Sequence, residues 1–376
     1  MDRDHGCPPV AVLAPAYNEQ MGIVQAVRAF LELDYPRFEV IVINDGSKDD
    51  TMQVLKEAFA LRRRDVPSRP ELQCAAVRGV YEPAMDLPPN VQRLVVIDKE
   101  NGGRADALNC GMNFAQSPYV LTIDGDSILD PIALKLVMRV FEDDPDVQAA
   151  GGQIGIVNGC SVEAGRVAHV ALPRNFLALC QTIEYLRSFA TSRTGMTRLG
   201  CLSILSGAFM LINRETAMAL GGFLTGRVRS RLLDEYAGPG KTTVGEDMEI
   251  IVRLHRFERE RGRRAKVVHS PVPVCWTEAP STWTVLGRQR RRWHRGFLEI
   301  LSYHRRMIGN PAYGRIGLFT LPYFVLFELI GPYLEALGYL LLPVLTLLGL
   351  VSVKGALIVV AVTHTFGVLH STLSVV

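Results

Sequence analysis

Paired cysteines are missing from this sequence. Its seven cysteines (Cys7, Cys74, Cys110, Cys160, Cys180, Cys201 and Cys275) are odd in number and scattered, and no Cys-x-x-Cys occurs among them. That pattern argues against a disulfide framework or a cysteine zinc site and predicts reduced, mostly buried thiols in a cytosol-facing domain. Neither G-x-G-x-x-G nor a Walker A run is present, so the usual phosphate cradles of doubly wound α/β proteins are absent. A large charge imbalance is lacking too. The 41 Lys and Arg against 38 Asp and Glu leave a formal net charge of +3, too little to argue for nucleic acid as a partner. No signal-peptide pattern opens the chain. Size excludes little, since 376 residues can bury a full core and hold more than one structural unit.

Long apolar runs are scarce before Arg315 and nearly continuous after it. Between Glu335 and Lys354 lie 18 residues without a charge, and Gly355 to Val376 adds 22 more. A membrane span needs ~20 apolar residues, so the tail predicts two membrane helices, with a buried hairpin as the alternative. The sequence stops inside its last apolar run, which suggests further membrane segments beyond it. Pro322, Pro332 and Pro343 would kink these helices, and Glu328 and Glu335 would lie near membrane depth, where acids are usually functional or protein-facing. Seven arginines fall between Arg288 and Arg306, immediately before the tail. A cytosolic juxtamembrane position alone would account for most of them.

In the first third, strands alternate with helical patterns. Val10 to Ala14 reads as a strand ending at Pro15-Ala16-Tyr17-Asn18-Glu19, and Ile23, Val24, Val27, Phe30 and Leu31 follow at helical spacing. Phe38 to Ile43 reads as a second strand, with a helix from about Asp50 to Leu61. Arg62 to Asn90 is polar, Pro-rich and Arg-rich and reads as a loop or insertion. Val91 to Asp98 resumes as a strand, Arg104 to Phe114 as a helix and Tyr119 to Ile123 as a buried strand. Four such alternations predict a doubly wound, mostly parallel α/β sheet.

In such a sheet the polar strand ends share one edge, where ligands bind. Asp45, Arg104, Asp124 and Asp126 should converge there. Asp124-Gly125-Asp126 offers hard oxygen ligands to Mg²⁺ or Mn²⁺ carrying a diphosphate, although by itself Asp-Gly-Asp reads more simply as a turn. Glu246-Asp247 opens a helix running to Arg259, where acidic residues also suit the helix dipole. Gln181 to Tyr185 lies in an amphipathic segment that fits a membrane surface or a core-packed helix equally well.

The motifs Pro15-Ala16-Tyr17-Asn18-Glu19, Asn44-Asp45-Gly46-Ser47, Asn101-Gly102-Gly103-Arg104-Ala105-Asp106-Ala107-Leu108-Asn109 and Asp124-Gly125-Asp126 resemble, in order and spacing, family 2 inverting glycosyltransferases of GT-A fold. Gly245-Glu246-Asp247 and Gln289-Arg290-Arg291-Arg292-Trp293 resemble the T/G-E-D and Q-x-x-R-W motifs of the membrane-integrated synthase branch, which includes cellulose, hyaluronan and poly-N-acetylglucosamine synthases. The resemblance covers roughly residues 8 to 376.

This resemblance implies donor contacts from Tyr17, Glu19, Asp45, Arg104, Asp124, Gln289 and Arg292, with Asp124 and Asp126 at a Mg²⁺ or Mn²⁺ ion. It implies catalytic roles for Asp247, as general base, and Glu246, and acceptor contacts from Ser206, Gly207 and Trp293. Arg104 stands where the family commonly has Lys. The implied organisation is a cytosolic GT-A domain over residues 1–280, basic interfacial helices over 281–315 and transmembrane helices over 316–376. The implied protein is a multi-pass enzyme of the cell membrane that passes a sugar, UDP-linked hexose or N-acetylhexosamine, from a nucleotide donor to a growing carbohydrate chain. Membrane lipids and membrane partner subunits would be its other partners. Two rivals are a non-processive transferase acting on a lipid or small acceptor, and a non-catalytic membrane scaffold that kept the fold.

Overall fold

The computed structural model describes residues 7–65, 70–125, 127–163 and 165–373. The chain begins with β1 (Val10–Ala16), α1 (Ile23–Leu31), β2 (Phe38–Asp45), α2 (Thr51–Ala58), β3 (Leu61–Arg64), β4 (Val77–Pro83), β5 (Val91–Lys99), α3 (Arg104–Phe114) and β6 (Tyr119–Ile123). It continues through β7 (Ile128–Leu129), α4 (Ala133–Asp143), β8 (Ala149–Ile156), β9 (Ser161–Glu163), β10 (Arg166–His169) and α5 (Phe176–Arg187). A π-helical turn over Ser188–Arg193 leads to α6 (Thr194–Arg198), β11 (Phe209–Asn213), α7 (Arg214–Ala219), α8 (Arg231–Tyr236), α9 (Glu246–Glu260), β12 (Val267–Thr277) and α10 (Trp283–Tyr303).

One ten-stranded sheet runs in the order β3-β4-β5-β2-β1-β6-β11-β8-β12-β7, with β9 and β10 as a separate hairpin. Period-2 alternation sends Val10, Val12 and Ala14 to one face, where they meet α1, α2 and α4. Ala11 and Leu13 go to the other face, against α3 and α9. Every residue of β2 is buried, as a central strand covered on both faces requires.

The sheet is mixed, which corrects the expectation of a mostly parallel one. β5, β2, β1 and β6 are parallel neighbours, as are β8 and β12. The pairs β3–β4, β4–β5, β6–β11, β11–β8 and β12–β7 are antiparallel. The stretch expected to be a loop, Arg62 to Asn90, supplies β4 and most of β3. These strands continue the sheet at its edge, and the exposed arginines of β3 are the kind of charge that blunts a free strand edge.

The tail also differs in register from its expectation. The charge-free run between Glu335 and Lys354 is broken by a turn at Gly349, whose φ is +71°. A helical run of 32 residues extends instead over Ile316–Leu347 and takes in Glu328 and Glu335. Among the described residues it is the one helix long and apolar enough to cross a membrane. A second apolar helix, Val353–Leu373, follows, and His364 sits against the Tyr339 ring at 6.1 Å between centroids.

At the C-terminal ends of β2 and β5 a buried ion cluster fixes the chain. The Lys99 ammonium, fully buried, donates to Asp45 Oδ1 at 2.5 Å and the Glu100 carbonyl at 2.7 Å, and lies 2.7 Å from Asp106 Oδ1. The Asp45 carboxylate also accepts from the Gly102 and Gly103 amides, at 3.0 and 2.8 Å. A Cβ on Gly102 would lie 2.3 Å from Asp106 Oδ1, so only glycine lets the loop close this far. Removing the cation strands two buried carboxylates. Lys99→Met is expected to cost about 3–5 kcal/mol of stability, read as a lowered unfolding midpoint of the protein in detergent.

His255, on α9, places Nε2 2.8 Å from the Leu202 carbonyl, which can only accept, so Nε2 carries the proton. Burial pulls its pKa down to about 4. Burial and then the charge of Arg193 pull His269 down to about 3. The unfolded chain protonates these rings near pH ~6.5, so below that value it binds more protons than the folded chain. Stability should be full above pH ~6.5 and fall as pH drops toward 4, by about 1.4 kcal/mol per unit for each ring. His255→Gln should flatten that slope in denaturation series run across this range.

Candidate active site

The parallel strand ends, the start of α9 and the basic face of α10 enclose one cleft of about 1340 Å³. Tyr17 and Glu19 reach it from the end of β1, Asp45 from β2, and Asp124 from the end of β6. Ser206 and Gly207 come from the loop before β11, Glu246 and Asp247 from the first turn of α9, and Gln289, Arg292 and Trp293 from α10. With Arg104 these are all the candidate residues except Asp126, which lies outside the described residues. Asp45 lines the cleft but has only 5% of its side chain exposed and is occupied by Lys99 and the two glycine amides. Its present work is to shape the Asn101-Gly102-Gly103 loop.

Arg104 is the hub. Its Nε donates to Asp124 Oδ1 at 2.8 Å, one Nη to Glu246 Oε1 at 2.7 Å and the other to the Gly207 carbonyl at 2.6 Å. The same Gly207 donates its amide to Asp247 Oδ2 at 3.1 Å. One planar fork thus ties a strand end, a helix start and a loop, which the single-point ammonium of a lysine could not match in geometry. Burial opposes the Arg104 charge, but Asp124 and Glu246 outweigh it and raise its pKa. Burial raises the Glu246 carboxyl, against the pull of Arg104 and with a push from Asp247.

α10 reaches this cluster through a contact that small residues alone permit. A Cβ on Gly296 would lie 2.8 Å from the Gly245 amide nitrogen, so the two helices cross almost backbone to backbone beside Glu246 and Asp247. Thr282 caps α10 by accepting from the Val285 amide at 3.4 Å. One turn before Trp293, Arg290 pairs with both oxygens of Glu184 on α5, at 2.6 and 2.5 Å, and its guanidinium lies 4.8 Å from the Trp293 ring. Trp293 itself remains 39% exposed in the cleft.

Sequence reasoning missed several residues that build this site. Lys99 gives only a weak signal, a charge at the end of an apolar strand, and Asp106 enters the sequence only as a member of the Asn101-to-Asn109 motif. Arg290 enters the sequence only as a member of the Q-x-x-R-W motif, and Glu184 only within the amphipathic Gln181-to-Tyr185 segment. Arg193 and His269 had no motif, and their importance comes from where the π-helical turn and β12 place them. Phe324 and Glu328, on the apolar helical run, also line the cleft.

The description "Glycosyl transferase family group 2" matches residues 119–373, more than half of the chain, and "Glycosyl transferase family 2" matches residues 11–69. Among curated proteins, the poly-beta-1,6-N-acetyl-D-glucosamine synthase of Staphylococcus aureus (strain COL) is 27% identical over 292 residues, covering 78% of this chain and 55% of that protein. The synthase of the same name from Staphylococcus epidermidis is 25% identical over the same shares. The chain thus spans about half the length of these relatives. Among solved structures, the mannosyltransferase PcManGT from Pyrobaculum calidifontis, in complex with GDP-Man and Mn²⁺, superposes with a TM-score of 0.61 at 18% identity, over 98% of this chain and 83% of that one, a likeness of fold. The chain belongs to glycosyl transferase family 2.

Proposed function

We propose that this protein is a membrane-bound inverting glycosyltransferase that passes a sugar from a nucleotide donor, UDP-linked hexose or N-acetylhexosamine, to a growing carbohydrate chain. The observation that carries this reading is the single cleft that gathers Asp124 at a strand end, Asp247 at a helix start and the α10 face bearing Gln289, Arg292 and Trp293. Curated relatives named as synthases of poly-beta-1,6-N-acetyl-D-glucosamine support the polymer.

In this mechanism Asp247, oriented by the Gly207 amide, takes the proton from an acceptor hydroxyl. The acceptor oxygen forms its bond to the sugar C1 as the bond from C1 to the nucleoside diphosphate breaks, which inverts the anomeric centre. Arg104 keeps Glu246, Asp124 and Gly207 in register, Arg292 holds the diphosphate and Trp293 stacks on the acceptor's terminal sugar. Tyr17 and Glu19 border the nucleoside and Asp45 holds the loop against it; Ser206 borders the acceptor.

Among the described residues no three His, Cys, Asp or Glu side chains group as a metal cage. The Asp124 carboxylate, 39% exposed at the strand end, still suits Mg²⁺ or Mn²⁺, which binds through one or two carboxylates plus substrate phosphates. Asp124 and Asp126 would hold such an ion, and it would supply Lewis-acid stabilisation of the departing diphosphate.

The organisation we infer is a cytosolic catalytic domain over 1–280, interfacial helices over 281–315 and membrane helices over 316–376 in a multi-pass protein of the cell membrane. The largely exposed apolar run Ile316–Leu347, directly after the arginine-rich stretch, supports this. Partner subunits would be met in the membrane.

The test is nucleotide release by the protein in lipid with Mg²⁺ or Mn²⁺, across a panel of nucleotide sugars, with product length analysed. Turnover of one donor into long chains is expected, with kcat lowered on the order of 10²–10⁴-fold in Asp247→Asn while donor binding persists. Single additions only would sink the polymer reading, and full activity in Asp247→Asn would remove that residue from the mechanism.

A further inference from the structure

The π-helical turn Ser188–Arg193 carries Arg193 into the wall of the cleft, beside Asp247 and Tyr185. Its guanidinium lies flat on the Phe189 ring, 3.9 Å from the centroid, and Phe189 in turn packs against His269 and Tyr185 at 5.6 and 5.7 Å. Stacking occupies a face of the guanidinium and engages none of its five N–H donors. Nε is buried without a hydrogen-bond partner, and among the described residues no carboxylate comes within ion-pair distance of Arg193. The adjacent ring offers nothing either: both nitrogens of His269 are buried without partners. Burial lowers the Arg193 pKa to about 10, partly offset by the charge of Asp247. A half-buried cation held this way has no ion-pair partner to offset its desolvation, and other arginines of the cleft are differently placed, Arg104 with two carboxylates and Arg290 with one.

We propose that Arg193 forms a phosphoryl-binding subsite in this cleft. Arg193 lines the same cleft as Asp124, Tyr185 and Asp247, so the subsite borders the space through which the donor's departing diphosphate or an anionic acceptor would pass. A guanidinium fork matches two phosphoryl oxygens, and in a partly dry wall such a contact is strong. The phosphoryl group has two sources, the diphosphate of the nucleotide donor or a phosphorylated acceptor, and this choice rests on the glycosyltransferase reading, whereas the subsite itself does not.

The experiment is equilibrium binding of UDP, uridine, inorganic pyrophosphate and glycerol 3-phosphate to the full chain in detergent, with a chelator present to remove any metal contribution. Wild type, Arg193→Gln and Arg193→Lys are compared. Weakening of pyrophosphate and UDP by roughly tenfold in the Gln variant, with most binding kept in the Lys variant and uridine unaffected, supports the subsite and names the donor as source. Loss confined to glycerol 3-phosphate supports it and names the acceptor. The thermal midpoint separates a binding role from a structural one: removing a half-buried charge that has no ion-pair partner should leave it equal or raise it in Arg193→Gln. Unchanged binding of all three anions, or no binding of any by the wild type, overturns the proposal. Absent sugar transfer with pyrophosphate binding that still depends on Arg193 would overturn the glycosyltransferase reading and leave the subsite standing.

Discussion

The ammonium of Lys99, sealed from water between the carboxylates of Asp45 and Asp106, holds three segments that are distant in sequence. Asp45 ends β2, Lys99 ends β5 and Asp106 opens α3. Each charge alone would be expensive at zero to a few per cent exposure, and together they satisfy one another and the backbone amides of Gly102, Gly103 and Ala75. The loop that results delivers the N-terminus of α3, and with it Arg104, to the edge of the sheet. Every other feature of the cleft is placed with respect to that edge.

From there the coupling runs through Arg104. Its three donors join the end of β6, the first turn of α9 and the loop before β11, and Gly207 carries the link on to Asp247. α9 is itself anchored by the Glu249–Arg253 pair, where Arg253 and His304 hold the Glu249 carboxyl down at about 2 against burial. His304 closes α10 with its Nε2 3.5 Å from the Glu249 carboxylate, so the helix that carries Trp293 and the helix that carries Asp247 meet at one buried polar contact as well as at the Gly245–Gly296 crossing. Arg193 stands apart from the Arg104 and Arg253 networks, since its guanidinium pairs with no carboxylate among the described residues and its Nε has no hydrogen-bond partner.

The central β/α alternation was legible because apolar runs bounded by turn residues report their own ends. Arg104–Phe114 and Tyr119–Ile123 fall where the pattern placed them, and β2 and β5 run one or two residues further. The edge strand β3 and its neighbour β4 were illegible for the converse reason: the edge faces water, and its arginines imitate a loop. The antiparallel insertion of β11 between β6 and β8 was illegible too, because strand direction depends on which neighbour a segment finds after a long excursion.

The sequence by itself determined the chemistry available: the order of the acidic, glycine and Q-x-x-R-W motifs, the family and the apolar tail. Local composition and spacing suffice for that, since each motif is a few residues long and carries its own turn or helix start. Tertiary structure alone decided how those residues are used. It set Asp45 to work on Lys99 and its own loop, gave Arg104 three partners, ended the first apolar helix at Leu347 and left the Arg193 Nε without a hydrogen-bond partner among the described residues. Such assignments depend on which charges end up facing each other out of water, and burial at a distance leaves no periodic trace in the chain.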